Sequence, residues 1–153
     1  MPRPSLPVGR LLERKNTGVV AAAPGDSSQD AVRLMVEHDV GAVVVLDQGR
    51  LVGMLSERDC ARELALAGRS ASDTKVAEIM TADVVTIGPA ETVEESGALL
   101  MARHHVRHLP VVEGGRVVGV LSVRDLLLER VSEGGRQVRD LETERLMAET
   151  GSY

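Results

Sequence analysis

Aromatic side chains are almost absent: among 153 residues there is no phenylalanine, no tryptophan and a single tyrosine, Tyr153. A core must therefore be built from Val, Leu, Ile, Met and Ala, and any purine bound here has to lie between aliphatic side chains. The single cysteine, Cys60, rules out an intrachain disulfide and offers a metal no second thiol; it reads as a small buried residue on a helix. Lysine occurs only at Lys15 and Lys75, no run of basic residues gathers on one expected face, and the formal net charge is -5. That balance argues against duplex DNA as a partner, because such binding rests on phosphate contacts. No hydrophobic stretch approaches the ~18 residues that span a bilayer. The start, Met1 to Pro7, has no apolar leader segment. The expectation is a cytoplasmic protein with neither a membrane nor a nucleic-acid partner. A nucleophile elbow, a Walker loop and a dinucleotide glycine fingerprint are all missing, so catalysis is disfavoured. The preference for Arg over Lys and the abundance of Ala, Gly and Val suggest a GC-rich bacterial genome.

What the chain does have is a duplication. Leu34-Met35-Val36-Glu37-His38-Asp39-Val40 aligns with Leu100-Met101-Ala102-Arg103-His104-His105-Val106. Gly49-Arg50-Leu51-Val52-Gly53-Met54-Leu55-Ser56-Glu57-Arg58-Asp59 aligns with Gly115-Arg116-Val117-Val118-Gly119-Val120-Leu121-Ser122-Val123-Arg124-Asp125. Val19 to Pro24 matches Val84 to Pro89 with a one-residue slip, and Val8 to Leu12 corresponds to Val76 to Met80.

Within each copy the periodicity changes in a fixed order. A short β-prone run, Val19 to Ala21 or Val84 to Ile87, ends at a proline and gives way to an amphipathic helix. The expected apolar stripes are Ala31, Leu34, Met35 and His38 in copy one and Val93, Leu99, Leu100 and Met101 in copy two. Two strands follow, Ala42 to Leu46 with Arg50 to Leu55, and Leu109 to Val112 with Arg116 to Leu121. Asp47-Gln48-Gly49 and Glu113-Gly114-Gly115 have the composition of hairpin loops. Ser56 and Ser122 then introduce a second helix, Arg58 to about Ala67 and Val123 to about Val131. The unit is βαββα, used twice, an α/β (α+β) fold. One such unit of roughly 60 residues is marginal alone, and two packed sheet against sheet are not. Arg136 to about Glu149 carries Val138, Leu141, Leu146 and Met147 on an approximate helical face. It reads as a solvated or dimer-contacting helix, or as one that docks a protein partner.

The repeated Ser-x-Arg-Asp is chemically legible. A Ser at a strand end with Asp three positions later places the hydroxyl at an N-cap and the carboxylate in the first helical turn. Asp59 and Asp125 can accept hydrogen bonds from the two vicinal hydroxyls of a ribose, and Ser56 and Ser122 can donate to a phosphate or ribose oxygen. The same spacing is also close to a capping box, whose only task is to start a helix. The metal reading of His104, His105 and His108 has no repeated partner, nearby Cys or i, i+4 pairing to support it, and no metal is expected.

The repeated Gly-h-h-Ser-x-Arg-Asp (h, apolar), preceded in copy two by Leu109-Pro110-Val111-Val112, resembles the CBS domain, named after cystathionine β-synthase. The likeness divides the chain into domain one at 7–67, a linker at 68–75, domain two at 76–131 and a tail at 132–153. It implies a pseudo-twofold pair with adenosyl ligands in clefts between the sheets, no required cofactor, and a homodimer. AMP, ADP, ATP, S-adenosylmethionine and NADH stay open as ligands, and a partner protein is unspecified. By resemblance Arg58 and Arg124 contact phosphate; a salt bridge to the other repeat is the alternative. The backbone around Pro110, a residue fit for an edge or an irregularity, borders the base, with Val20, Ala21, Thr86 and Ile87 as the other wall or as simple packing. Arg107 and His108 stand where copy one has Gly41 and Ala42, so the second cleft should favour anions. A nucleotide sensor is the leading function; a ligand-independent assembly protein is the alternative.

Overall fold

The structure, a computed structural model, describes residues 6–16 and 18–134. The expected helix from Arg136 lies outside the described residues. Helix α1 (Val8–Lys15) precedes strand β1 (Ala21–Ala22), helix α2 (Ser28–His38), strands β2 (Ala42–Asp47) and β3 (Arg50–Ser56), and helix α3 (Glu57–Cys60), which runs on as a π-helical stretch, Ala61–Leu66. The second half has α4 (Val76–Ile79), a π-helical stretch (Val93–Gly97) leading into α5 (Ala98–His104), strands β4 (His108–Glu113) and β5 (Arg116–Ser122), and α6 (Val123–Gly134).

Local chemistry sets these boundaries in the same way twice. Gln48 and Gly49, and again Gly114 and Gly115, all have positive φ, the backbone that a two-residue hairpin needs to match strand twist. Both ladders shift register at one place, between Val45 and Leu46 and between Val111 and Val112. Helices α2 and α5 both end on a left-handed residue, Asp39 and His105. Ser27 caps α2 by accepting a hydrogen bond from the Asp30 amide at 3.1 Å.

The packing units are not the sequence units. Val76 and Ile79 of α4 belong to the core of the first repeat, with Ala22, Ala31, Met35, Val43, Val45, Leu55, Cys60 and Leu64. Val8 and Leu11 of α1 belong to the core of the second, with Ile87, Val93, Met101, Leu109, Val111 and Leu121. Each repeat thus lends its lead-in helix to the other. Backbone bonds seal the exchange: Val8 donates to Glu91 and Val93 to Leu6, both at 2.8 Å, while Val76 donates to Asp26 and Ser28 to Thr74, also at 2.8 Å. Val8 and Val76 are fully buried. Burial of such a side chain is worth about 1.5 to 3 kcal/mol, so each half depends on a neighbour it could not keep if cut away. A third cluster joins the sheets: Ala42, Val44 and Met54 of the first repeat meet Val84, Val117 and Val120 of the second.

Three expectations need correction. Strand β1 is Ala21–Ala22, not Val19 to Ala21. Val84 to Ile87 forms no strand; it contributes a single parallel bridge, Ile87 to Val111, so the second sheet has two strands where the first has three. Leu99, placed on the apolar face, is 54% exposed, and His38 is exposed as well. The α5 helix shows only Met101 fully to the core, because the turn leading into it is π-helical and rotates the face away from the 3.6-residue stripe.

Candidate functional site

The two Ser-x-x-Asp segments fold alike. In the first, the Ser56 amide and hydroxyl both donate to Asp59 Oδ2 at 2.9 Å, and the Asp59 amide donates back to Ser56 Oγ at 3.1 Å. In the second, the Ser122 amide and hydroxyl donate to Asp125 Oδ2 at 2.7 and 3.0 Å, and the Asp125 amide donates to Ser122 Oγ at 3.2 Å. Both are capping boxes that start a helix. Among the described residues every bond to these carboxylates falls on Oδ2. Oδ1 of each is held in a fixed direction with lone pairs left for another donor, so helix capping and ligand binding are compatible uses of one side chain.

The two carboxylates differ in their cationic company. Lys15 reaches from the last turn of α1 and donates from Nζ to Asp125 Oδ2 and to the Val120 carbonyl, each at 2.9 Å. The side chains are 25% and 9% exposed, so the pair is poorly screened by water. No salt bridge to Asp59 occurs among the described residues. Sequence reasoning does not single out Lys15 as a site residue; the available signal is its rarity in an arginine-rich chain, and its two-turn reach along α1 is visible only in three dimensions.

His108 opens β4, opposite Ser122 in the β4–β5 ladder. Its Nε2 lies 3.4 Å from the position a Cβ would take on Gly41, so the imidazole rests against the first repeat. Burial pushes its pKa down to about 4, against the upward pull of Asp125; Lys15 and Arg107 push further down, and Asp59 pulls up. At neutral pH His108 is therefore uncharged, an imidazole able to donate or accept a hydrogen bond.

The backbone near Pro110 gives the other asymmetry. In the first repeat the Val44 amide donates to the Val20 carbonyl at 3.2 Å, which closes the ladder between β1 and β2. Pro110 stands at the place of Val44 and has no N–H. The parallel ladder there is reduced to two bonds, Ile87 donating to Pro110 at 3.0 Å and Val112 donating to Ile87 at 2.9 Å. Pro110 lies inside β4, paired with Val120, on an outer strand of the two-stranded sheet, as expected of a residue without an N–H. Its effect is to end the sheet beside Val85 and the exposed Thr86, where main-chain polar groups face a gap in the ladder.

The remaining candidates are placed unevenly. Val20, just before β1, and Ala21, in it, are half-buried. Ala42 is buried in the inter-sheet cluster, and Leu109 is fully buried in the second core, so Leu109 offers a ligand main chain only. Arg58, Arg107 and Arg124 are exposed. Among the described residues neither Arg58 nor Arg124 forms an ion pair. No three His, Cys, Asp or Glu side chains group as metal ligands among the described residues. The Cys60 thiol is pushed up to about 11 by burial, then by Asp59 and Glu57; it packs as a small apolar group. No described helix is long and apolar enough to cross a membrane.

Comparison with known proteins agrees with this geometry. The family model for the CBS domain matches residues 8–66 and 76–132. The CBS domain-containing protein YhcV of Bacillus subtilis is 37% identical over 116 residues, 76% of this chain and 81% of that protein. A CBS domain crystal structure superposes with a TM-score of 0.79 at 38% identity, over 84% of this chain and 99% of the other. A CBS domain protein from Pyrobaculum aerophilum, crystallised in complex with AMP, superposes with a TM-score of 0.70 at 27% identity, over 83% of this chain and 99% of that one. With two matched repeats, exchanged lead-in helices and a capping-box aspartate after each hairpin, the chain belongs to the CBS domain family as a tandem pair.

Proposed function

We propose that this CBS pair is a regulatory module that binds an adenine nucleotide in the clefts at Asp59 and Asp125 and catalyses nothing. The carrying observation is the repeated carboxylate anchored through Oδ2, with Oδ1 unused by the described residues. A ribose diol is a pair of donors suited to such an acceptor, and a charge-assisted hydrogen bond of this type contributes about 1.5 to 3 kcal/mol. The AMP complex of the Pyrobaculum aerophilum relative supports the ligand class. Val20, Ala21, Ala42, Thr86, Leu109 and Pro110 would border the base, while Ser56, Ser122, Arg58, Arg107, Arg124 and His108 would face the sugar and phosphate.

Occupancy becomes a signal through the exchanged helices. A ligand held between the sheets favours one arrangement of the repeats, and α1 and α4, each packed on the opposite half, carry that preference across the molecule. We place the module in the cytoplasm as a homodimer, with exposed Leu66, Leu99 and Leu128 as contact candidates. Light scattering at about 20 μM, a concentration above typical weak dimer constants, should give twice the chain mass; a monomer overturns the dimer.

Thermal shift with AMP, ADP and ATP against their 2'-deoxy forms tests the ligand. At 100 times its dissociation constant a ligand stabilises the native state by about 2.7 kcal/mol. The ribose forms should raise Tm more than the deoxy forms. No shift with any of them at about 1 mM, on the order of 10³ above a micromolar dissociation constant, overturns the reading.

A further inference from the structure

We propose that Lys15 makes the cleft at Asp125 more selective for an anionic adenosyl ligand than the cleft at Asp59. The inference rests on the nucleotide-binding reading above and assigns a charge preference to one of its two sites.

The difference arises from the lengths of the lead-in helices. In the first cleft α4 ends after about one turn, and the chain lies alongside β3, where Thr81 and Met54 exchange backbone bonds at 2.9 Å in both directions. In the second cleft α1 continues for about two turns. The Val120 carbonyl, at the place of Met54, then receives the Lys15 ammonium at 2.9 Å. The same ammonium passes on to Asp125.

Donor counting defines what the lysine can do. An ammonium has three N–H donors, and two are committed, to Asp125 and to Val120. Oδ2 of Asp125 already accepts from the Ser122 amide, the Ser122 hydroxyl and Lys15. A ribose diol must therefore use Oδ1 or displace the lysine. A ligand with a 5'-phosphate gives the third N–H, or the displaced ammonium, a new anion. A neutral nucleoside offers it only an uncharged 5'-hydroxyl acceptor, and if Lys15 moves, a partly buried cation is left without an anionic partner. The other candidate cations do not set the two clefts apart in this way: Arg58 and Arg124 stand at matching places in the two copies, His108 is neutral at pH 7, and Arg107 is exposed.

Calorimetry of the full chain with AMP and with adenosine tests the proposal. In an Asp59→Ala background, which reports the second cleft alone, wild-type Lys15 should favour AMP over adenosine by at least ~10-fold, the scale of one charge-assisted bond. Lys15→Met should remove that preference by weakening AMP while leaving adenosine within about 2-fold, and Lys15→Arg should restore most of it. In an Asp125→Ala background Lys15→Met should have no effect on either ligand. If Lys15→Met proves too unstable to measure, Lys15→Gln is titrated in its place, with the same expectation. AMP and adenosine binding equally well at the second cleft, or weakening together in the lysine variants, overturns the selectivity while leaving the nucleotide-binding reading intact. Failure of the unsubstituted protein to bind either ligand overturns both.

Discussion

Leu12 lies over Gly119 so closely that a Cβ on the glycine would stand 2.7 and 2.8 Å from the two leucine methyl carbons. The same relation recurs where Met80 crosses Gly53, with the Met80 sulfur at 2.5 Å and the Thr81 carbonyl oxygen at 3.0 Å from the corresponding point. Each glycine of the repeated Gly-h-h-Ser signature is thus the slot through which the other repeat's lead-in segment passes. The requirement is close approach, since neither glycine has a positive φ.

Gly119→Ala should destabilise the protein by about 1 to 3 kcal/mol, the usual cost of overpacking. Urea unfolding of Gly119→Ala, Leu12→Ala and the double variant checks the cause. The two changes should be less costly together than their sum, because shortening Leu12 vacates the space that the new methyl needs. Additive losses would mean that the glycine matters for a reason other than Leu12.

Much of the fold is readable from the sequence because the duplication supplies its own control: a hairpin glycine or a capping serine that recurs in the same order marks the same turn or the same helix start twice. The exchange of α1 and α4 is not readable, since Val8 and Val76 carry no mark of which core they enter. The lost strand at Val84 to Ile87 follows from one missing N–H at Pro110, but only after the register with Val44 and Val20 is known. In the site, Ser56, Asp59, Ser122 and Asp125 stand out by spacing alone. Lys15 does not, because it lies 110 residues from Asp125 along the chain and meets it only through the exchange.

The two aspartates should respond unequally to truncation. Asp59→Ala removes a capping partner, a change worth about 0.5 to 2 kcal/mol. Asp125→Ala removes an equivalent cap and also strands the partly buried Lys15 ammonium, so it should cost about 1 kcal/mol more. Denaturant unfolding without ligand measures the difference. Nucleotide affinity, measured at low temperature where both variants are folded, should fall at least ~10-fold at the affected cleft. Loss of stability with normal binding of AMP, ADP and ATP would reduce both aspartates to helix caps.

His108 should make stability depend on pH in the mildly acidic range. Its folded pKa is about 4, below the ordinary value of about 6.5. Between these values the unfolded chain binds more protons than the native one, so this contribution is fully present above about pH 6.5 and is lost as pH falls toward 4. At pH 5 the loss should be about 1 to 2 kcal/mol relative to pH 8. Unfolding at both pH values in the wild type and in His108→Gln isolates it: the variant should lose less stability on acidification by that amount. Equal losses would show that other groups carry the acid sensitivity.

Pro110→Val should convert the second repeat's sheet toward the first. The amide introduced at position 110 would stand where Val44 donates to Val20 at 3.2 Å, with the Val85 carbonyl as its counterpart acceptor. The net stability change should be small, because a new hydrogen bond worth about 0.5 to 1.5 kcal/mol is offset by about 0.4 to 1 kcal/mol of regained freedom in the unfolded chain once the proline ring is gone. Melting temperature is therefore a poor reporter, and amide hydrogen exchange is the informative one: the amide at 110 should exchange as slowly as that of Val44. If main-chain groups of Val85 and Thr86 serve the base of a bound nucleotide, closing the ladder also removes them from the ligand. Affinity at the Asp125 cleft should then fall while the Asp59 cleft is unchanged. A protected amide at 110 together with unchanged AMP binding at both clefts would show that the gap beside Pro110 is not where the base is read.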